Sequence, residues 1–210
     1  MQPIRSKTLL LPLFCPPVSY FAAWAAAETV WLEQHETYQK GSYRNRCHIA
    51  GPNGLQRLSV PLEKGKHDGQ PIREVRIAYH EPWIQQHRHS LQTAYGKSPF
   101  YEHYAPAIYR AWERRPRFLF DLNLALLEVL LPFLHLDASK MKRTPKYVPY
   151  PAPNAWDLRE SIHPKKAPAL DLPAYPQVFA DRHGFLPDLS VLDLLFCLGP
   201  ESGRVLTIQS

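Results

Sequence analysis

The chain has 210 residues, 45% of them hydrophobic and 12% aromatic, enough apolar material for a packed core, which excludes a disordered tail. Charged residues make up 21%, and the formal net charge of +6 is spread from Arg5 to Arg204 among acidic residues; this suits anionic ligands but forms no continuous basic stripe. Three widely separated cysteines (Cys15, Cys47, Cys197), with no CxxC pair, argue against a disulfide framework and a thiolate zinc site and point to a reducing cytoplasm.

Arg5 and Lys7 precede the apolar run Leu9–Cys15, and Ala25-Ala26-Ala27 follows it, in the outline of a signal peptide. Pro16-Pro17 and Ser19-Tyr20-Phe21 interrupt that outline. A buried strand Thr8–Phe14, a turn and a short helix Val18–Ala27 fit the segment better. Thr29–His35 reads as a second strand, with Val30 and Leu32 on one face and Trp31, Glu33 and His35 on the other. Arg44–Ala50 reads as a third, and the turn Gly51-Pro52-Asn53-Gly54 returns the chain as Gln56–Leu62. Ile72–Ile77 alternates and is expected to join the sheet.

Helices follow. Pro82 suits a first turn, and Trp83–Tyr95 continues it. Ser98 has the chemistry of a cap for the next helix, in which Tyr101, Tyr104, Ala105, Ile108 and Trp112 recur at helical spacing. Phe118–Leu131 is almost wholly apolar but broken by Asp121, Asn123 and Glu128, so a buried helix fits and a membrane span does not. Eight prolines between Arg143 and Pro176 exclude a regular helix there and leave an irregular arm. Leu189–Leu198 is the last helix, capped by Asp188 or Ser190 and stopped by Gly199-Pro200. The expected architecture is one α/β domain over 1–210: a mixed sheet from residues 8–80, helices over 82–136, a Pro-rich arm over 143–176 and a C-terminal helix at 188–199.

Polar chemistry concentrates in Tyr38–Ile49. On an extended segment Arg44, Arg46 and His48 share one face, and Tyr43, Asn45, Cys47 and Ile49 the other. Two guanidinium forks at a two-residue step suit a phosphate or carboxylate, with Lys40 beside Gly41 as a mobile charge; a solvated strand face is the bland alternative. Lys40, Arg44, Asn45 and Arg46 are therefore candidate ligand-binding residues, with His163 and Lys165 of the arm added because loops carry function disproportionately. His35, Glu36 and Glu33 supply an imidazole and carboxylates for acid–base work, although a structural His35 fits the same pattern. His-Glu-x-x-Gln at 35–39 lacks a second zinc-binding histidine, and His87 and His89 point about 200° apart on a helix, so no metal site is assigned. The chain has no GxSxG, GxGxxG or P-loop, and no cofactor is expected.

The run Tyr38-Gln39-Lys40, Tyr43-Arg44-Asn45-Arg46-Cys47 resembles the hallmark of the WbqC-like protein family. The resemblance continues in Leu11-Pro12, Leu58-Ser59-Val60-Pro61, His163-Pro164-Lys165, Tyr175-Pro176-Gln177 and Gly184-Phe185-Leu186-Pro187-Asp188. Thr37 stands where it leads us to expect Asn, and the Pro-rich arm replaces an expected Gly-containing segment. The resemblance implies a link to surface-polysaccharide (O-antigen) biosynthesis and a suggested glycine-transferase role; it supplies no catalytic residues. The expected function is a cytoplasmic transferase that modifies an activated sugar or related metabolite. Its partner would be a phosphate- or carboxylate-bearing small molecule such as a nucleotide sugar. The alternatives are a non-catalytic binding or assembly protein, of which a nucleic-acid binder is one form although nucleic acid is not the expected partner, and a small-amide or ester hydrolase.

Overall fold

The computed structural model describes residues 5–65 and 67–207; the two ends of the expected domain, 1–4 and 208–210, lie outside them. The class is α/β, as the sequence led us to expect, and its strands divide between two sheets. Strand β1 (Arg5–Leu10) leads through helix α1 (Val18–Ala25) to β2 (Ala27–Leu32), which lies parallel to it. Two very short strands, β5 (Met141–Arg143) and β6 (Trp156–Asp157), extend this sheet on opposite edges in the order β5-β2-β1-β6, every pair parallel. Strands β3 (Arg46–Gly51) and β4 (Gly54–Ser59) form a separate antiparallel hairpin.

The core follows from the apolar pattern. Val18 to Trp24 of α1 are all buried, as expected of a helix apolar on every side. Helices α2 (Trp83–Tyr95), α3 (Tyr101–Glu113) and α4 (Leu119–Phe133) join the same core, with α3 against both α2 and α4, and Trp24, Trp83 and Trp112 are fully buried. Truncating any of these indoles would cost about 3–5 kcal/mol. A short helix α5 (Ala180–His183) precedes α6 (Val191–Leu198), whose Ser190 accepts from Leu192 N–H and donates to the Cys15 carbonyl. Asp188 instead binds the Ser19 N–H and hydroxyl, both at 2.8 Å, tying the C-terminal region to α1. Gly199 ends α6 at φ +55°, and a Cβ there would lie 2.5 Å from the Phe100 ring.

Four expectations need correction. The first strand stops at Leu10, because Pro12 restricts Leu11 and lacks an N–H for the ladder. The second ends at Leu32, so Glu33 and His35 follow the strand instead of alternating along it. Ile72–Ile77 contains a 3-10 turn at Ile72–Glu74, with only isolated bridges around it; buried Ile72 and Val75 are three residues apart, the spacing of that turn. Ser98 does not cap α3: its hydroxyl donates back to the Tyr95 carbonyl at 2.6 Å, and Phe100 occupies the cap position.

Candidate functional site

Because all four strands of the larger sheet are parallel, their carboxyl ends lie along one edge, the usual place for chemistry in open α/β sheets. Glu33 follows β2 there, Thr144 follows β5, and Asp157 closes β6. Glu33 is fully buried, and its carboxylate accepts from His35 N–H (2.7 Å), Thr144 Oγ1 (2.9 Å) and Val148 N–H (2.8 Å). Two of these donors belong to the arm, so Glu33 fastens the arm to the sheet. His35 Nε2 lies 3.0 Å from the Thr144 carbonyl, which can only accept; Nε2 therefore carries the proton and Nδ1 the lone pair.

Arg159 completes this edge with all five guanidinium N–H donors engaged. Nε and Nη2 bind Asp157, Nη1 binds Glu36 (3.1 Å) and the Val148 carbonyl, and Nη2 also binds the Pro149 carbonyl. Its side chain is 1% exposed. Burial alone would raise the Asp157 carboxyl, but the hydrogen bonds from Arg159 outweigh it and hold the group below its ordinary range. Arg159 shows the reciprocal balance: burial opposes its charge, Asp157 restores it, and the net shift is upward.

The connector from Glu33 to Asn45 leads from this edge to the hairpin. Arg44 lies in a turn ahead of β3, so it does not share the strand face of Arg46 and His48 as the alternation predicted. Its backbone carbonyl is held by Asn123 Nδ2 (2.9 Å), the buried amide that interrupts the apolar α4. The Arg44 side chain is buried, donates from Nη1 to Gln39 Oε1 (3.0 Å) and has no partner at Nε. Burial lowers its pKa, against the opposing fields of Glu36 and Glu160.

The hairpin register pairs Arg46 with Ser59 and His48 with Arg57, so these four residues stand on one face. Asn45 extends the ladder one step: its carbonyl accepts from Val60 N–H (2.8 Å) and its Nδ2 donates to the Val60 carbonyl (2.9 Å). Here a cavity of about 740 Å³ opens, lined by Tyr38, Lys40, Asn45, Arg46, Arg57 and Ser59 among others. Its lining brings three cations together against one carboxylate, Asp68, which already accepts from Lys40 N–H. Burial raises the pKa of the Tyr38 phenol, opposed by the charges of Arg46 and Arg44 and by a hydrogen bond from Arg46. Burial and then the charges of Arg46 and Arg57 lower that of His48.

Of the nine candidates named from sequence, seven lie on this connector or at its end in Arg46, and His163 and Lys165 lie on the arm. Glu33, His35 and Glu36 stand at the sheet edge. Lys40, Asn45 and Arg46 line the cavity. Arg44 lies between, and the arm comes down beside it: a Cβ at Gly41 would lie 3.9 Å from Lys165 Nζ, and His163 is within the field of Arg44. Burial, then Lys166 and Lys165, lowers the His163 pKa. The sequence reading missed Tyr38, Arg57, Ser59 and Arg159 as site residues. Arg57 and Ser59 were findable, since a two-residue turn at Pro52-Asn53 fixes which residues face Arg46 and His48. Arg159 was not, because its partners include Glu36, 123 residues away.

Among the described residues no group of three or more metal-ligating side chains is assembled, and no helix is long and apolar enough to cross a membrane. The molecule is an α/β protein with a cationic basin that the connector 33–45 joins to the carboxyl edge of its parallel sheet. Residues 12–157, more than half of the chain, match the WbqC-like protein family, and the chain belongs to that family. Neither the curated proteins nor the solved structures contain a match.

Proposed function

We propose that this protein is a transferase that binds a phosphate- or carboxylate-bearing small molecule, such as a nucleotide sugar, in the basin on the β3–β4 hairpin. The observation that carries this reading is the convergence of Lys40, Arg46 and Arg57 on one cavity, with Arg46 Nε buried and unpartnered. A buried donor without a partner costs about 1–3 kcal/mol, which an incoming anion returns as a charge-assisted bond. The transfer itself is assigned to the sheet edge, where His35 Nδ1 would accept the proton of an attacking amine or hydroxyl as that nucleophile bonds to the donor's acyl or glycosyl carbon and displaces its leaving group. Glycine transfer to an activated sugar is the form that the family resemblance favours. Glu33 would act by holding the arm, and Glu36 by orienting Arg159. A thermal-shift screen of nucleotide sugars and aminoacyl donors tests this reading. Ligands should stabilise the wild type, and Arg46→Gln should weaken them about tenfold or more; a screen with no stabilising ligand of either class removes the proposal.

A second reading rests on Trp31, half-buried on the other face of the parallel sheet, with Lys7 Nζ at 4.9 Å and Lys142 Nζ at 5.9 Å from its ring centroid. Cations beside an aromatic suit a polyanion and a non-catalytic binding role. Salt-sensitive retention on heparin that a Trp31→Ala variant loses would favour it.

A further inference from the structure

The buried polar atoms left without partners carry more information than the charge of the basin. Three of them belong to residues that line it: Asn45 Oδ1, Arg46 Nε and Ser59 Oγ. They are neighbours by register, since Arg46 faces Ser59 across the ladder and Asn45 continues that ladder to Val60. Buried polar groups in folded proteins are nearly always paired, so such a concentration along one cavity needs a cause.

The three atoms differ in what they accept. Arg46 Nε only donates, Asn45 Oδ1 only accepts, and the Ser59 hydroxyl does either. The Asn45 amide is oriented by its donation to the Val60 carbonyl, which leaves the oxygen as the unpaired end. A fully ionised phosphate ester or a carboxylate offers acceptors alone. It can satisfy Arg46 Nε but offers no donor to Asn45 Oδ1 or to the acceptor side of the Ser59 hydroxyl.

We infer that the ligand of this basin carries hydroxyl or amide N–H donors adjacent to its anionic group, so that the site selects a hydroxylated phosphate ester over a plain phosphate or a phosphodiester backbone. This rests on the anion-binding reading of the basin and narrows it to a substrate class. Arg46, Arg57 and Lys40 hold the anion; Asn45 and Ser59 read the donors beside it. A site built to pair with a ligand hydroxyl discriminates against analogues that lack it, because its own buried groups are then left unsatisfied. The DNA backbone fails the same criterion, since its phosphates and deoxyribose oxygens only accept.

The test compares two monoesters of equal charge, methyl phosphate and glucose 1-phosphate. At about pH 8 the phosphate of each is a dianion without a donor of its own. Isothermal titration of the full chain should show glucose 1-phosphate binding about tenfold more tightly, one to two hydrogen bonds' worth of discrimination. Ser59→Ala should narrow the gap to about threefold, and Arg46→Gln should weaken both ligands together. Ser59→Ala removes only an unpartnered hydroxyl, so it tests recognition without taking a bond from the fold. Equal binding of the two esters, or a gap that stays at about tenfold in Ser59→Ala, overturns the inference while the anion site stands if Arg46→Gln still weakens both ligands. Binding of neither ester, or binding indifferent to Arg46→Gln, overturns the anion site and this inference with it.

Discussion

The sheet edge around Arg159 and the basin around Arg46 lie at the two ends of one connector and treat an arginine in opposite ways. Arg159 has every donor engaged by a carboxylate or a backbone carbonyl, and its side chain is 1% exposed. Arg46 is half-buried, has no partner at Nε, shares a hydrogen bond with the Tyr38 phenol, and lines one cavity with Arg57 and Lys40. A saturated guanidinium is a piece of architecture. An unsaturated one is an offer to a ligand, kept at some cost in stability. The contrast explains why residue type and spacing alone do not locate a site: both arginines sit in polar, loop-rich sequence, and only their partners separate them.

Arg159→Ala is the sharpest way to break this comparison. It leaves Asp157 buried without its countercharge, frees Glu36, and orphans the Val148 and Pro149 carbonyls. Loss of one partner from a buried pair costs about 3–5 kcal/mol, so urea denaturation should show a fall of that size. A loss under about 1 kcal/mol would mean that the arm is not held by this network.

The next effect is set by pH. His87 is buried among Phe14, Trp83 and Trp112, with ring centroids 5.1 to 5.9 Å away, and desolvation lowers its pKa to about 4 from 6.5. Its neighbours are aromatic, and the only opposing influence is a hydrogen bond to the Ser59 backbone. Above pH 6.5 the imidazole is neutral in both folded and unfolded chains. Between 6.5 and 4 only the unfolded chain takes up the proton, so stability falls through that window and this contribution levels off below it. The interval corresponds to about 3 kcal/mol. In His87→Phe this part of the slope should disappear from denaturation curves recorded across the same range. An unchanged slope would assign acid sensitivity to another group.

A smaller effect is expected where the two regions meet. Gly41 has φ +86°, and Lys165 lies in ordinary contact over the place a Cβ would occupy. Gly41→Ala should therefore cost about 1 kcal/mol through the left-handed backbone rather than through a clash. A thermal melt checks this, and a much larger loss would indicate that the arm packs more tightly on the connector than these distances allow.

The legibility of the fold followed the range of its interactions. Helices α2, α3, α4 and α6 were readable because apolar spacing, a proline or a capping serine acts within a few residues. The turn Gly51-Pro52-Asn53-Gly54 likewise fixed the hairpin and, through its register, the floor of the basin. Strands β5, leading into the Pro-rich arm, and β6, inside it, were hidden, since three and two residues carry no periodicity and their pairing with β2 and β1 is decided across more than a hundred residues of chain. The polar block at 38–49 was visible as a candidate site. Its division was not: the turn at Arg44 is imposed partly by Asn123 on α4, which takes Arg44 out of the strand and leaves Arg46 alone to face Ser59.

The smallest predicted change in stability is the most telling. Arg46→Gln removes a donor without a partner at Nε and relieves its repulsion with any protonated His48, and these gains offset the loss of the hydrogen bond to the Tyr38 phenol. The shorter side chain keeps most of the aliphatic stem that packs in the half-buried position. Because the relieved donor and the lost phenol bond oppose each other, urea denaturation should show a net change of no more than about 0.5 kcal/mol in either direction. Read beside Arg159→Ala, the pair separates structure from function: one arginine costs several kcal/mol to lose and the other almost nothing. A loss of about 2 kcal/mol or more in Arg46→Gln would make Arg46 a second structural arginine, and the basin would then lose its main claim to a ligand.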